Sequence, residues 1–472
     1  MKRIIIFPLV MFLTACASEP KHLEGDKLDN IDEAIPKDWR YSTKLLATNN
    51  DLLWGIKIPD PILAKLLEVS NENISLKIAR LRLRQAKLDF EISTGQLWPD
   101  ASLAAGQRHS QSLVDDEKKF LDSSNIGLSV KWEVDLWDRL GDETKRTTWL
   151  AEAKSYDLVA ATYSLQSQFL TTWFDLIEQK KLLELNKNNI ENQNRRLQMS
   201  MYRLDNGLSS GIDIRNAKTN LFRLRESQKG LQYRLVEAKR RLNLMLGHYS
   251  ESELDIDLTF PELETGVVFN KPRDILLNRP DVLAANANLL AAGFSWDAAK
   301  KRQLPKLTLN FDLDARRSKI EELFDFDFWL SSISASIVQP IFYRDVLSKQ
   351  AKKLELSQEI ALQQYRQTLL DAWREVESAS QNELILRSRQ SLLSRAFAEA
   401  KEAENQTEIQ YTAGLANSFE LLSAQRTRTS VETDLMKLAT ARLKNRVQLI
   451  LALGIPNSEE NKTKKFNSHV KN

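Results

Sequence analysis

Hydrophobic and polar positions along this chain follow two periods, and the switch between them occurs twice in the same order. Between Ser155 and Gly207 a seven-residue step picks out Thr162, Phe169, Leu176, Leu183, Ile190, Leu197 and Leu204. The column three residues on holds Leu165, Thr172, Gln179, Asn186, Gln193 and Ser200. One column is therefore apolar, while its neighbour is mostly amide and hydroxyl. A two-stranded coiled coil wants both columns apolar. A helix with neighbours on two sides and one wetted face tolerates the mixture, and the strict heptad implies left-handed supercoiling. No proline lies between Pro99 and Pro261, so one helix is predicted from about Leu140 to Asn206. At about 1.5 Å per residue it spans roughly 100 Å.

Ahead of it, Pro59-Asp60-Pro61 opens a predicted helix carrying Ile62, Leu66, Val69, Ile74, Ile78, Leu81, Leu88 and Ile92 to Gly95. Past Pro99 the period drops to two. Ile126, Leu128, Val130, Trp132, Val134 and Leu136 alternate with Gly127, Ser129, Lys131, Glu133 and Asp135, a strong strand signal. Ala101–Ser110 is a weaker strand, with a polar loop, Gln111–Asn125, between the two. After the long helix and Gly207, a second helix, Ile212–Leu246, runs back.

The order then repeats. A helix from Arg279-Pro280-Asp281 stops near Leu304-Pro305, and Leu307, Leu309, Phe311 and Leu313 alternate with polar residues. A loop with Phe324, Phe326, Phe328 and Trp329 precedes Ile333, Ala335 and Ile337, which alternate with serines. Arg344 opens a helix free of Pro and Gly until Gly414, and Ser418–Leu453 returns. Pro99, Arg139, Gly207 and Gly247 recur as Pro305, Arg344, Gly414 and Gly454, at offsets of 206, 205, 207 and 207. This is a tandem duplication. The predicted layout is a leader at 1–15, an arm at 16–58, a first repeat at 59–249, a linker at 250–276, a second repeat at 277–455 and a polar tail at 456–472. Strands are placed at about 100–110, 126–136, 305–315 and 331–341, with helical hairpins at 139–247 and 344–454.

Composition refines this. Over 472 residues there are only 14 Gly and 12 Pro, and 28% of the chain is charged, as suits long helices. The formal charge is +3, and loss of Lys2 and Arg3 with the leader leaves it near +1, with no footprint of nucleic-acid binding. No run of about 18 apolar residues follows the N-terminus, so no helical membrane span is expected. Lys2-Arg3, the apolar Ile4–Phe12 and Leu13-Thr14-Ala15-Cys16 read as a targeting segment with a lipobox, making Cys16 the acylated first residue of the mature chain. Ala17 after it points to outer-membrane sorting. Cys16 is the single cysteine, so no intramolecular disulfide forms.

The strands decide what the helices are for. Each predicted strand has about 10 residues, the length that crosses a bilayer when tilted. Apolar side chains would then face lipid, and Ser, Lys, Glu, Asn and Asp a wet lumen. Four strands cannot close, and an open edge in lipid is forbidden because its amides lack partners. Closure calls for several chains, and three give twelve strands, within the range of known barrels.

In its lipobox, its duplicated strand-pair and long-helix units and its glycine turns at Tyr202–Asp213 and Tyr411–Glu420, the chain resembles the TolC-type outer-membrane efflux factors, lipoprotein branch. The resemblance covers roughly 59–455. It implies a mainly α protein with membrane β-strands, forming a homotrimeric twelve-stranded β-barrel continued by an α-helical barrel. It also implies a periplasmic adaptor and an inner-membrane pump as partners, and passive export of small molecules. By the same resemblance Arg203, Asp205, Gly207, Leu208, Tyr411, Gly414 and Leu415 form the periplasmic tips that meet the adaptor. Asp213, Arg215, Phe419, Glu420 and Ser423 become gate candidates. Relatives often carry an acidic residue where Ser423 precedes Ala424-Gln425-Arg426, which makes Phe419 the better constriction. The alternatives are the exit duct of a type I protein secretion system and, from another class, a periplasmic coiled-coil adaptor lipoprotein. The adaptor is disfavoured because two hairpins are interrupted by membrane-length strands.

Other signals are weak. Gly207-Leu208-Ser209-Ser210-Gly211 matches a nucleophile-elbow pattern but sits between two helices and reads as turn chemistry. His22, His109, His248 and His469 have no metal-ligand spacing, and no phosphate-cradling loop or cofactor motif is present, so no catalytic role is expected.

Overall fold

The computed structural model describes residues 34–41, 56–114, 117–207, 209–249, 256, 258–263 and 271–454. The leader with Cys16, most of the arm, Leu208 and the C-terminal tail lie outside the described residues. The elements run α1 (Asp60–Glu72), α2 (Ile74–Gly95), β1 (Asp100–Val114), β2 (Glu117–Val134), α3 (Arg139–Asp205), α4 (Gly211–Met245), α5 (Pro272–Leu276) and α6 (Pro280–Lys301). They continue with β3 (Lys306–Arg317), two 3-10 turns (Glu321–Phe324 and Phe326–Phe328), β4 (Leu330–Val338), α7 (Arg344–Thr412) and α8 (Ser418–Ala452). The chain is mainly helical with one small sheet, and the duplication extends to element length. Helices α2 and α6 have 22 residues each, α3 and α7 have 67 and 69, and α4 and α8 have 35 each.

The chain divides into two compact units. Among the described residues, one comprises 34–35, Leu83–Lys154 and Ala284–Arg366; the other comprises Pro36–Arg82, Ser155–Leu283 and 367–454.

In the first unit the strands form one antiparallel sheet in the order β1-β2-β3-β4. Residues paired across antiparallel strands share a face. The register therefore aligns Ala101, Val130, Phe311 and Ile333 in one row, and Leu103, Leu128, Leu313 and Ser331 in the next. Trp132, Leu309 and Ala335, then Val134, Leu307 and Ile337, extend the same face. The opposite face carries Ser102, Ser129, Asp312 and Ser332, then Lys131, Asn310 and Ser334, then Glu133, Thr308 and Ser336. Among the described residues no helix covers the apolar face of β4. Leu103 is 71% exposed, Ile333 82% and Ile337 67%. The outer edges of β1 and β4 pair with no described strand.

Of the polar loop expected at Gln111–Asn125, residues 111–114 and 117–125 are instead strand. Pairing continues from Ala105↔Ile126 out to Val114↔Glu117. Beyond the apolar rows both faces of the hairpin are mostly polar, with Leu113 and Phe120 in the rows of one and Val114 and Leu121 in those of the other, so period two vanishes from the sequence while the backbone ladder persists. At the other end of the sheet, Asp135 caps α3 by accepting hydrogen bonds from the amides of Arg139 (2.7 Å) and Gly141 (2.9 Å). The Trp137 indole donates to the carbonyl of Pro305 at 2.7 Å.

The second unit holds the main core. Ile56, Ile58, Ile62, Leu66 and Val69 from the arm and α1 pack against Phe169, Leu170, Trp173, Phe174, Leu176 and Ile177 of α3, with Leu242 and Leu246 from the end of α4 and Leu443 and Val447 of α8. The single helix expected from Pro59 to Gly95 is broken at Asn73, whose backbone is extended. The Asn73 carboxamide oxygen accepts from the amides of Ser75 (2.9 Å) and Leu76 (3.4 Å), and its amide donates to the carbonyl of Met245 at 2.9 Å. One side chain thus starts α2 and closes α4, an interaction 172 residues apart that no local pattern encodes.

The amide column of α3 does not meet water as the heptads suggest. Thr172, Asn186, Gln193 and Ser200 are buried, while Leu204 of the apolar column is 36% exposed. The polar column faces the returning helix: Gln179 accepts from Arg234 (3.1 Å), Gln193 donates to the carbonyl of Ala217 (3.1 Å), and Asn220 donates back to Gln193 (3.1 Å). Amides withstand burial because they are hydrogen-bonded across the hairpin. The Asn186 oxygen is the buried exception, with no partner in the single chain.

Candidate functional site: the two helix turns

Each long helix stops at a glycine with positive φ, Gly207 at +73° and Gly414 at +77°. That conformation strains any residue with a Cβ. In the second turn the amide of Leu415 donates to the carbonyl of Gln410 at 2.8 Å and that of Gly414 to Tyr411 at 3.1 Å, so the end of α7 leaves few carbonyls orphaned. The returning helices open on matching devices 207 residues apart. Ser210 and Asp213 form a capping box at α4, and Asn417 and Glu420 form one at α8. Of the gate candidates, Asp213 and Glu420 are therefore both engaged in holding a helix start.

Asp213 does more than cap. Its Oδ2 accepts from the Ser210 amide at 2.9 Å and from the Ser209 and Ser210 hydroxyls at 3.0 Å each, while its Oδ1 accepts from the Ser418 hydroxyl in the other repeat. These donors, Ser418 first and the Ser210 amide next, pull its pKa down to about 2. Asp213 is thereby the tie between the tip of the first hairpin and the tip of the second.

A second tie lies beside it. Tyr411 is buried, with Arg203 stacked over its ring at 4.7 Å and donating to its carbonyl at 2.6 Å. The Ser200 hydroxyl and the Tyr411 hydroxyl are 3.5 Å apart. About two turns further up the helices, Glu404 accepts from Arg196 at 3.1 Å and from Arg428 at 2.8 Å. Arg196 also reaches Glu408, and Arg428 reaches Glu432 and the Asn189 side chain. Glu404 thus joins α3, α7 and α8.

The remaining named residues stand outside these ties. Arg215, Asp205 and Ser423 are exposed, as are Leu415 at 82% and Phe419 at 71%. Leu208 is outside the described residues. Sequence reasoning missed Ser210, Asn417 and Ser418, although Ser-x-x-Asp and Asn-x-x-Glu at a 207-residue offset were readable as paired capping boxes. It also missed Arg196, Glu404 and Arg428, for which no local signal exists. Among the described residues no cluster of potential metal ligands occurs.

A duplicated unit of strand pair and long helical hairpin, with a sheet apolar on one face and polar on the other, defines a protein of the membrane-duct class. The profile of the family described as outer membrane efflux protein matches residues 67–248 and 272–455, one stretch per repeat. The chain belongs to that family. Among its relatives, the pyoverdine export outer membrane protein OpmQ of Pseudomonas putida is 24% identical over 469 residues, covering 96% of this chain and 97% of its own. The solvent efflux pump outer membrane protein SrpC of Pseudomonas putida is 25% identical over 404 residues, covering 84% and 85%. The solved outer-membrane channel OprN has the same fold, with a TM-score of 0.80 at 22% identity over 90% of this chain and 95% of that one. The protein is thus an outer-membrane efflux component, a transport role.

Proposed function

We propose that three copies of this chain close their sheets edge to edge into a twelve-stranded barrel, continued by the long hairpins as a helical tunnel. The observation that carries this reading is the open sheet: one apolar face, one polar face and two unpaired edges. The apolar rows from Val134-Leu307 to Ile126-Ala315 span about 27 Å along the strands, at about 3.4 Å per residue. A tilt of about 40° reduces this to about 20 Å, close to the band of known outer-membrane barrels. Edges left bare in hydrocarbon would cost several kcal/mol per unpaired group, roughly. Joining β1 of one copy to β4 of the next removes both.

In this assembly the polar sheet face lines a passive conduit for small molecules delivered by an inner-membrane pump through a periplasmic adaptor. Cys16 carries the lipid anchor. The turns at Arg203–Leu208 and Tyr411–Leu415 meet the adaptor, and the exposed Arg215 and Phe419 narrow the tunnel. Asp213 and Ser418 bind the two tips of one chain together, so both hairpins of a protomer move jointly when the tip opens. Relatives named for pyoverdine, for solvents and for cations support a small solute as cargo.

Mass measurement of the detergent-purified protein and single-channel recording in planar bilayers test this. A trimer that conducts is expected, with higher conductance in Arg215→Ala or Phe419→Ala. A monomer, or a trimer with no conductance even in the tip variants, overturns the reading.

A further inference from the structure

We propose that the β3–β4 loop is an interfacial anchor that seats its phenyl rings in the headgroup region of the lipid bilayer. The inference rests on the barrel reading above and extends it to a segment that reading does not use. All the helices of the sheet-bearing unit join the sheet at the end where α2 precedes β1, α3 follows β2, α6 precedes β3 and α7 follows β4. At the opposite end β1 ends, β2 begins and the β3–β4 loop lies. On the lipid-facing side the apolar rows end with Ala105, Ile126 and Ala315. The next row is Gln107, Ser124 and Arg317, and Arg317 is the first charged side chain that β3 places on this face. Hydrocarbon would therefore end at this level and headgroups begin.

The loop that follows is folded yet leaves its rings outside. Leu323 is buried beneath it, and the Trp329 indole donates to the Leu323 carbonyl at 3.1 Å. Phe326 lies 5.6 Å from Trp329, and the Arg317 guanidinium sits 4.0 Å above Phe328. Phe324 and Phe326 are nonetheless 72% and 79% exposed. They interleave with Asp325 and Asp327, and Glu321 and Glu322 stand just before them, all exposed. Rings beside carboxylates fit neither a dry core nor bulk water. They fit the zone where one side of a segment meets acyl chains and the other stays wet, the level at which aromatic side chains gather in membrane proteins. Arg317, held against Phe328, would place a cation at the depth of lipid phosphates. The apolar band of the sheet runs directly into this loop, and that continuity selects a lipid surface as the occupant over a second protein.

The test uses the full chain reconstituted in phospholipid vesicles, with an environment-sensitive fluorophore on Phe326→Cys, Phe311→Cys or Ser334→Cys. Labelling of the parent chain corrects for Cys16. Lipids carry a nitroxide near the headgroup or near the chain end, and iodide probes water. If the loop is an anchor, the Phe326→Cys label is quenched most by the headgroup-level nitroxide and is shielded from iodide. The Phe311→Cys label is then quenched by the deeper nitroxide, and the Ser334→Cys label by iodide. Iodide quenching of Phe326→Cys without lipid quenching, while Phe311→Cys still reports lipid, overturns the anchor and leaves the barrel standing. Loss of lipid quenching at Phe311→Cys as well overturns both.

Discussion

Replacing Ser418 by Ala removes one donor from Asp213 and nothing else that the structure shows at that side chain. A hydrogen bond to a charged group contributes roughly 1.5–3 kcal/mol when well shielded. Asp213 is half-buried and the tip faces water, so about 1 kcal/mol is the reasonable figure after solvent screening. That corresponds to about a fivefold rise in local opening. Amide hydrogen exchange reads it directly, since tips open locally without global unfolding. Peptides covering 209–214 and 418–422 should both exchange about fivefold faster in Ser418→Ala, because the bond joins two repeats. Asp213→Asn should do more, as the cap bonds to Ser209 and Ser210 weaken too: about 2 kcal/mol, or roughly thirtyfold. Adding Ser418→Ala to Asp213→Asn should then change little. The carboxyl is depressed to about 2 from an ordinary 3.8. Its contribution is therefore fully present above pH 3.8 and is lost as the pH falls toward 2. Parent and Ser418→Ala should converge over that window. Unchanged exchange at 209–214 in Ser418→Ala would refute the tie.

Three further outcomes are expected. Glu404→Gln removes the carboxylate that Arg196 and Arg428 share at side chains only 14% exposed, while each keeps a second carboxylate in Glu408 or Glu432, so about 1–2 kcal/mol is lost and the purified protein melts earlier; an unchanged melting temperature argues against the junction. Phe311→Lys puts a charge in the middle of the apolar sheet face and costs about 2–4 kcal/mol at the bilayer midplane, whereas Asn310→Lys on the opposite face is tolerated; insertion into vesicles distinguishes them. Gly414→Ala forces a Cβ onto a φ of +77° in open space, costing about 1–2 kcal/mol through backbone strain alone; faster exchange confined to residues near the turn is the signature.

The buried amides of α3 bear on how such a long helix keeps a single register. A purely apolar seam would let two helices slide by a heptad at little cost. Gln193 bonded to Ala217 and Asn220, and Gln179 bonded to Arg234, must lose specific partners to slide. A buried polar group that fixes register at some expense of stability is a known use of such residues.

Periodicity alone determined the duplication, the near ends of the long helices, the glycine turns and which strand residues share a face. Each of these follows from local sterics or from side-chain spacing, and both are written residue by residue. Tertiary structure decided the rest. The hairpin beyond Ala105 is strand because backbone groups pair there, although neither face is apolar. Asn73 breaks a helix because Met245 and the start of α2 share its side chain. The amide column turns inward because α4 offers partners. Asp213 becomes a link because folding brings Ser418 to it from 205 residues away. Contacts between distant residues cost chain entropy that no short window records, so only the folded chain shows which of them are made.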